Sequence, residues 1–188
     1  MKRSIGGVFI LTKQVISYKS ASYADAKRLY FEAFPKAERV PFFWLLLQAR
    51  KQFVEFIAFY DDDKFVGMSY LISKGSLTYL FYLAVDPTMR GKGYGSQILQ
   101  DLFKMYSGQR LCLGAERPDD EAINSNERRK RIEFYESNGF VLSGKIVREQ
   151  SVDYVLLSHG GDFSKQEYQD LIAFYAGIFK LIFKTKFI

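Results

Sequence analysis

Leu80 to Tyr106, LFYLAVDPTMRGKGYGSQILQDLFKMY, constrains this chain more than any other stretch. Leu80 to Val85 is an apolar run of strand length, Asp86-Pro87 stops it, and Ile98, Leu99, Leu102, Phe103 and Tyr106 then recur at helical spacing on one face. The stretch reads as a buried strand, a Gly-rich turn and a helix. The turn itself is Arg90-Gly91-Lys92-Gly93-Tyr94-Gly95-Ser96. Glycines let the backbone bend sharply and approach a ligand, and a turn that opens a helix leaves N–H groups and a positive dipole end facing outward. This is an anion site, to which Arg90 and Lys92 add charge.

Two common nucleotide patterns do not fit it. A phosphate loop of the form G-x-x-x-x-G-K-S/T needs a Gly-Lys-Ser or Gly-Lys-Thr, and neither occurs; G-x-G-x-x-G fails because Ser96 stands three residues after Gly93. The chain has 188 residues and no long Gly/Ser/Pro linker, which predicts a single domain with a substantial core. The net charge of +6 is spread along the chain without a recognition-helix or RNA-binding signature, so it favours an acidic cofactor over nucleic acid. With one cysteine, Cys112, and one histidine, His159, an intramolecular disulfide is excluded and a Cys/His zinc site is not expected; the expected compartment is the cytoplasm. The apolar run Val8–Leu11 is too short for a signal-peptide core, and Leu171–Phe183, interrupted by Lys180, is too short to span a bilayer.

Taken in order, residues 1–14 read as an extension and Val15–Tyr18 as a first strand. Ser22 with Asp25 predicts a capped helix carrying Ala26, Leu29, Tyr30 and Ala33 and stopping at Pro35. Pro41 opens a second helix, Phe42 to Arg50, with Trp44, Leu45 and Leu47 inward, and Phe34 to Arg39 is a polar loop between the two. Val54–Tyr60 and Phe65–Ser73 flank Asp61-Asp62-Asp63-Lys64 as a hairpin; the aspartates lack the Gly and later Glu of a calcium loop, and a turn is the reading they support. Leu77–Val85 continues the meander. Beyond the turn and helix, Arg110–Ala115 predicts a strand parallel to Leu80–Val85 that delivers Glu116. Asn124 with Glu127 predicts the start of a helix that ends at Gly139, followed by a hairpin of Phe140–Arg148 and Val152–Ser158. A terminal helix over Phe163–Phe183 places Tyr168, Leu171, Ile172, Tyr175, Ile178 and Ile182 on one face.

Arg90 to Gly95 has the form R-x-x-G-x-G after an apolar strand ending in Val-Asp-Pro, and Phe134-Tyr135-Glu136-Ser137-Asn138-Gly139-Phe140 ends a helix on an aromatic pair and enters a strand on Gly-Phe. Together, in this order, they resemble the two motifs of the GNAT superfamily of acyl-CoA-dependent N-acetyltransferases, over roughly Ile16 to Ser158. The resemblance implies an α/β (α+β) fold: a mixed, mostly antiparallel sheet with a splayed parallel central pair, flanked by helices. It further implies that Leu83, Ala84 and Val85 pair with the pantetheine arm of acetyl-CoA like an added strand. Arg90, Gly91, Lys92, Gly93, Tyr94, Gly95 and Ser96 would hold the pyrophosphate, and Tyr135 would lie at the cofactor sulfur as general acid. For an amine that must lose a proton before it attacks, Glu116, at a strand end, is the first candidate base and Glu38, in the helix–helix loop, the second. Each has a plain alternative: Glu116 as a strand-end carboxylate, Tyr135 as a ring packed with Phe134 and Phe140. One departure stands out. Many members carry Asn and Ala where this chain has Arg128 and Arg131, within Glu127-Arg128-Arg129-Lys130-Arg131.

The expected function is transfer of an acetyl group from acetyl-CoA to a primary amine, on a small molecule or a protein, without a metal. The alternative is a non-catalytic acyl-CoA-binding sensor or interaction module. Neither nucleic acid nor membrane is an expected partner, and the apolar terminal helix leaves a homodimer open.

Overall fold

The structure is a computed structural model that describes residues 4–5, 8–149, 152–177 and 185–188. In chain order the elements are β1 (Ser4–Ile5), β2 (Val8–Phe9), β3 (Thr12–Val15), α1 (Tyr23–Ala33), α2 (Phe42–Gln48), β4 (Val54–Asp61), β5 (Lys64–Lys74), β6 (Leu77–Val85), α3 (Tyr94–Met105), β7 (Arg110–Glu116), α4 (Ser125–Ser137), β8 (Val141–Glu149), β9 (Val152–His159), α5 (Lys165–Ala176) and β10 (Thr185–Phe187). Short 3-10 turns lie at Lys36–Glu38 and Pro87–Met89. The main sheet has the strand order β10-β8-β9-β7-β6-β5-β4-β3, and every pairing given by register is antiparallel except β6 with β7. This is the mixed α/β fold with a mostly antiparallel sheet that the sequence predicts. Two compact units divide the chain: Met1–Leu71 with Phe81–Met105, and Ile72–Leu80 with Tyr106–Ile188.

In the first unit, the amphipathic spacing of α1 buries Ala26, Leu29 and Tyr30, and α2 buries Phe42, Leu45 and Leu46 at i, i+3 and i+4. Leu47, expected inside, is 49% exposed because Leu46 takes the inward position in that spacing. Three buried phenols satisfy the backbone around the α1–α2 connection. Tyr30 donates to Val40 O (2.7 Å), Tyr82 to Glu38 O (2.7 Å) and Tyr70 to Leu45 O (3.2 Å). A buried carbonyl without a partner is costly, so these tyrosines are structural as much as apolar. The first sheet strand is Thr12–Val15, paired antiparallel with Ile57–Tyr60, and not Val15–Tyr18. Ser17 instead opens a turn that the Ser20 hydroxyl closes on Ser17 O (2.9 Å). Ser22 holds the N-cap position of α1 without a side-chain cap, its hydroxyl being bonded to Ser20 Oγ (3.0 Å).

In the second unit, β7 pairs along its length with β9, from Leu111 with His159 to Glu116 with Tyr154. Its parallel register with β6 joins Leu77–Tyr79 to Arg110–Cys112, ahead of the Leu80–Val85 segment that the sequence suggests. α5 starts with a full capping box: Ser164 Oγ accepts from Glu167 N (3.1 Å) and Glu167 Oε2 from Ser164 N (2.8 Å). It buries Tyr168, Leu171, Ile172 and Tyr175 as expected. The helix expected to Phe183 ends at Ala176, where Gly177 takes φ 51°, and Thr185–Phe187 is a strand paired with Val147–Glu149. Ile178 and Ile182 lie outside the described residues. Cys112 is fully buried in β7, and burial pushes its thiol pKa well up.

Gly67 of β5 marks a close backbone approach within the first unit. A Cβ there would stand 2.3 Å from Ala84 O and 3.1 Å from Val85 Cα. Gly67→Ala is therefore expected to lower stability by roughly 1–3 kcal/mol, the usual range for overpacking a buried site, read as a lower urea midpoint at unchanged m-value.

Candidate active site

The strand-turn-helix stretch belongs to the first unit. β6 ends at Val85, and the buried Asp86 caps the 3-10 turn behind it: Oδ1 accepts from Thr88 N (3.0 Å) and Thr88 Oγ1 (2.6 Å), and Oδ2 accepts from Arg28 Nη2 of α1 (2.6 Å). Burial alone would raise the Asp86 pKa; the Thr88 hydroxyl, Arg28 and the Thr88 N–H outweigh it and bring it below the ordinary value. Asp86 N in turn donates to Val66 O (2.8 Å). The exit of β6 is thus pinned from α1 and from β5.

Behind this pin the chain turns at Gly91 (φ 71°) and Gly93 (φ 83°), and α3 opens at Tyr94, its first turn closed by Gln97 N on Gly93 O (3.0 Å). A Cβ at either glycine would meet no atom within 4 Å. It is the left-handed backbone, not crowding, that calls for glycine. Arg90 Nε donates to Val85 O (3.1 Å) and Lys92 Nζ to Thr88 O (2.8 Å), so both cations fold back along the turn they decorate. The Tyr94 ring is buried and its hydroxyl donates to Asp61 Oδ2 (2.5 Å) at the end of β4; burial first, then this carboxylate, push its pKa to about 12. The Tyr94 phenol is thus committed to Asp61. Leu83 and Val85 are half-buried and Ala84 is buried. Glu38 is half-buried on the Lys36–Glu38 turn, its carbonyl taken by Tyr82.

Glu116 and Tyr135 belong to the second unit. Glu116, 7% exposed at the end of β7, faces α4: Arg128 Nη2 lies 3.1 Å from Oε1, while Arg131 Nη1 at 3.3 Å and Asn124 Nδ2 at 3.4 Å address Oε2. Asn124 therefore holds the N-cap position of α4 without capping it by side chain; its Oδ1 accepts from Arg128 Nε (2.9 Å). Tyr135 sits in the last turn of α4 between the Phe134 and Phe140 rings, at centroid distances of 5.3 and 5.7 Å. Desolvation pushes its phenol to about 12, against a smaller downward pull from Arg131. The phenol is thus neutral, and a donor, through the physiological range. Gly139 (φ 90°) reverses the chain into β8, and His159 Nδ1 contacts Gly139 O at 2.8 Å.

Within the first unit the structure brings together Leu83–Val85 and Arg90–Ser96. Within the second it joins Glu116 to α4, seven and four residues before Tyr135. The residues that sequence reasoning missed are the positioning ones, Arg28, Asp86 and Gly67. Asp86-Pro87-Thr88 did carry a signal, an Asp before a Pro that can occupy a first helical position. Among the described residues no group of three or more His, Cys, Asp or Glu could hold a metal, and no helix is long and apolar enough to cross a membrane.

In this structure a strand hands over through two left-handed glycines to a helix start, within a mixed sheet. Residues 52–142 match the sequence model of the Acetyltransferase (GNAT) domain. The chain has the fold of the GNAT-family acetyltransferases. Among solved structures it is similar to a protein of Bacteroides thetaiotaomicron described as a GNAT-family acetyltransferase, with a TM-score of 0.70, 22% identity and coverage of 89% of this chain and 97% of the other. It is similar to the ribosomal-protein-S18-alanine N-acetyltransferase of Escherichia coli (TM-score 0.60, 16% identity, 84% and 97% covered). A GNAT family acetyltransferase of Elizabethkingia anophelis with acetyl-CoA bound gives a TM-score of 0.55 at 16% identity, with 79% and 97% covered. No curated protein matches the sequence.

Asp86 sets a pH dependence whose sign follows from its lowered pKa. The stabilisation is present above the unfolded value of 3.8 and is lost as pH falls toward the folded value. Asp86→Asn should cost roughly 1–3 kcal/mol at neutral pH, and its deficit against the wild type should shrink below about pH 4, compared by urea unfolding at the two pH values.

Proposed function

We propose that this protein is an N-acetyltransferase that moves the acetyl group of acetyl-CoA to a primary amine by direct attack on the thioester. The observation that carries this reading is the turn Arg90–Gly93, with two left-handed glycines opening α3 directly behind β6. The acetyl-CoA bound to the Elizabethkingia protein of the same fold supports the choice of donor. The residues here fit such a group: N–H groups at a helix start suit a pyrophosphate, and the 3-10 turn before them is held rigid by Asp86.

When bound, the donor supplies an activated acyl carbon and a sulfur leaving group. The chain does the rest. Leu83–Val85 bind the pantetheine arm through their backbone, Arg90–Ser96 fix the phosphates, and a strand N–H polarises the thioester carbonyl. The amine nitrogen bonds the acyl carbon, the C–S bond breaks, and the amine proton leaves to a carboxylate. Glu38 is the first choice for that base, because both oxygens of Glu116 are engaged by guanidinium groups that a transferred proton would have to displace. Tyr135, neutral across the working range, donates its hydrogen bond to the departing sulfur. A cytoplasmic location belongs to the same reading, in keeping with a lone, buried cysteine.

The test is a thiol-release screen with acetyl-CoA across small amines, protein N-termini and lysines. Tyr135→Phe should lower kcat by about 100-fold with the fold intact, the lower end of what general acid–base catalysis contributes. Full turnover by that variant would remove the acid role, and tight acetyl-CoA binding with no thiol released by any amine would make the chain a binding module.

A further inference from the structure

The proposed mechanism leaves Arg128 and Arg131 unused, although α4 turns both toward β7. Glu116 carries one negative charge and meets two positive ones. Arg128 answers it fully: Nη2 bonds Oε1, Nε bonds Asn124 Oδ1 (2.9 Å) and Nη1 bonds Arg117 O (3.1 Å), with the side chain 17% exposed. Arg131 is different. It reaches Glu116 Oε2 through a single bond of 3.3 Å, its side chain is 44% exposed, and a guanidinium has five N–H donors. The cluster therefore keeps one positive charge beyond what Glu116 needs, held in place by a buried carboxylate.

That charge stands one helical turn before Tyr135, on the same face of α4. We propose that Arg131 is an electrostatic partner of the leaving sulfur: tethered by Glu116, its guanidinium favours the thiolate that forms on coenzyme A as the C–S bond breaks. This rests on the acetyltransferase reading. The electron pair of the broken bond goes to sulfur, the acetyl carbon passes to the amine nitrogen, and the amine proton goes to the base. Arg131 takes no proton and supplies only charge. Its downward pull on the Tyr135 phenol shows that it reaches that ring electrostatically. Charged or titratable groups near the pair include Glu116 from β7, Arg128 from α4 and, behind Phe140, His159 from β9. Glu116 is on this account a positioning residue.

Calorimetric titration of coenzyme A and of acetyl-CoA, between about pH 7 and 9, separates the possibilities, because only the free thiol can ionise in that window. In the wild type the preference for coenzyme A over acetyl-CoA should grow with pH. In Arg131→Gln it should be about tenfold smaller at the upper end, the effect of a one-unit change in the bound thiol's pKa, and Arg131→Lys should restore part of it. Circular dichroism confirms that both variants fold. An unchanged ratio in Arg131→Gln, or equal weakening of both ligands, overturns the proposal while leaving the transferase reading in place. A wild type that binds neither ligand overturns both.

Discussion

A carboxylate buried at the exit of a strand survives only if donors replace the water it has lost. Asp86 has three, from the Thr88 N–H, the Thr88 hydroxyl and Arg28. They do more than satisfy a charge. They stop β6 at a fixed point, start the Pro87–Met89 turn, and tie both to α1, so the glycine turn begins from a rigid base. Helix-start N–H groups bind anions well only when they are held in register beforehand, since ordering them on binding would cost affinity. The anion binding proposed for Arg90–Ser96 therefore depends on a residue outside that turn.

The sequence made some of this legible and hid the rest for identifiable reasons. Strand β6, the turn and α3 were readable because an apolar run, three glycines and a helical stripe agree with one another. The C-terminal stripe Tyr168, Leu171, Ile172 and Tyr175 is buried as its periodicity predicts, but the periodicity runs on past Gly177, whose φ of 51° ends the helix. Capping shows the same asymmetry. Ser22 with Asp25 has the pattern and no cap, because a neighbouring hydroxyl at Ser20 takes the Ser22 side chain, whereas Ser164 with Glu167 forms the full box. Asn124 is a third instance, its amide drawn away from the helix start by Glu116 and Arg128. Local pattern states what a side chain can do, and tertiary neighbours decide whether it does.

Of the candidate site, the backbone part was the most readable and the carboxylates the least. A left-handed turn demands glycine, so Gly91 and Gly93 announce themselves. The state of Glu116 depends on α4 residues eight to fifteen positions away, and no local rule gives it. Within the basic run of α4, Arg129 and Lys130 are exposed, while Arg128 and Arg131 reach Glu116. Helical geometry sorts the run: positions 128 and 131 share a face with 135, and 129 and 130 do not. The chain is 17% aromatic, and in the first unit Tyr30, Tyr70 and Tyr82 fill the core while their hydroxyls serve carbonyls of the α1–α2 connection and α2.

The sole cysteine, fully buried and with its thiol held protonated by its surroundings, has a practical consequence. A thiol of that kind does not react with disulfide or maleimide reagents while the chain stays folded, because the reactive species is an accessible thiolate. A sulfhydryl signal in an acetyl-CoA assay of the native protein would then originate in the coenzyme alone. Once β7 opens, the same sulfur becomes reactive, so the rate at which Cys112 is labelled reports directly how often this strand leaves the folded state.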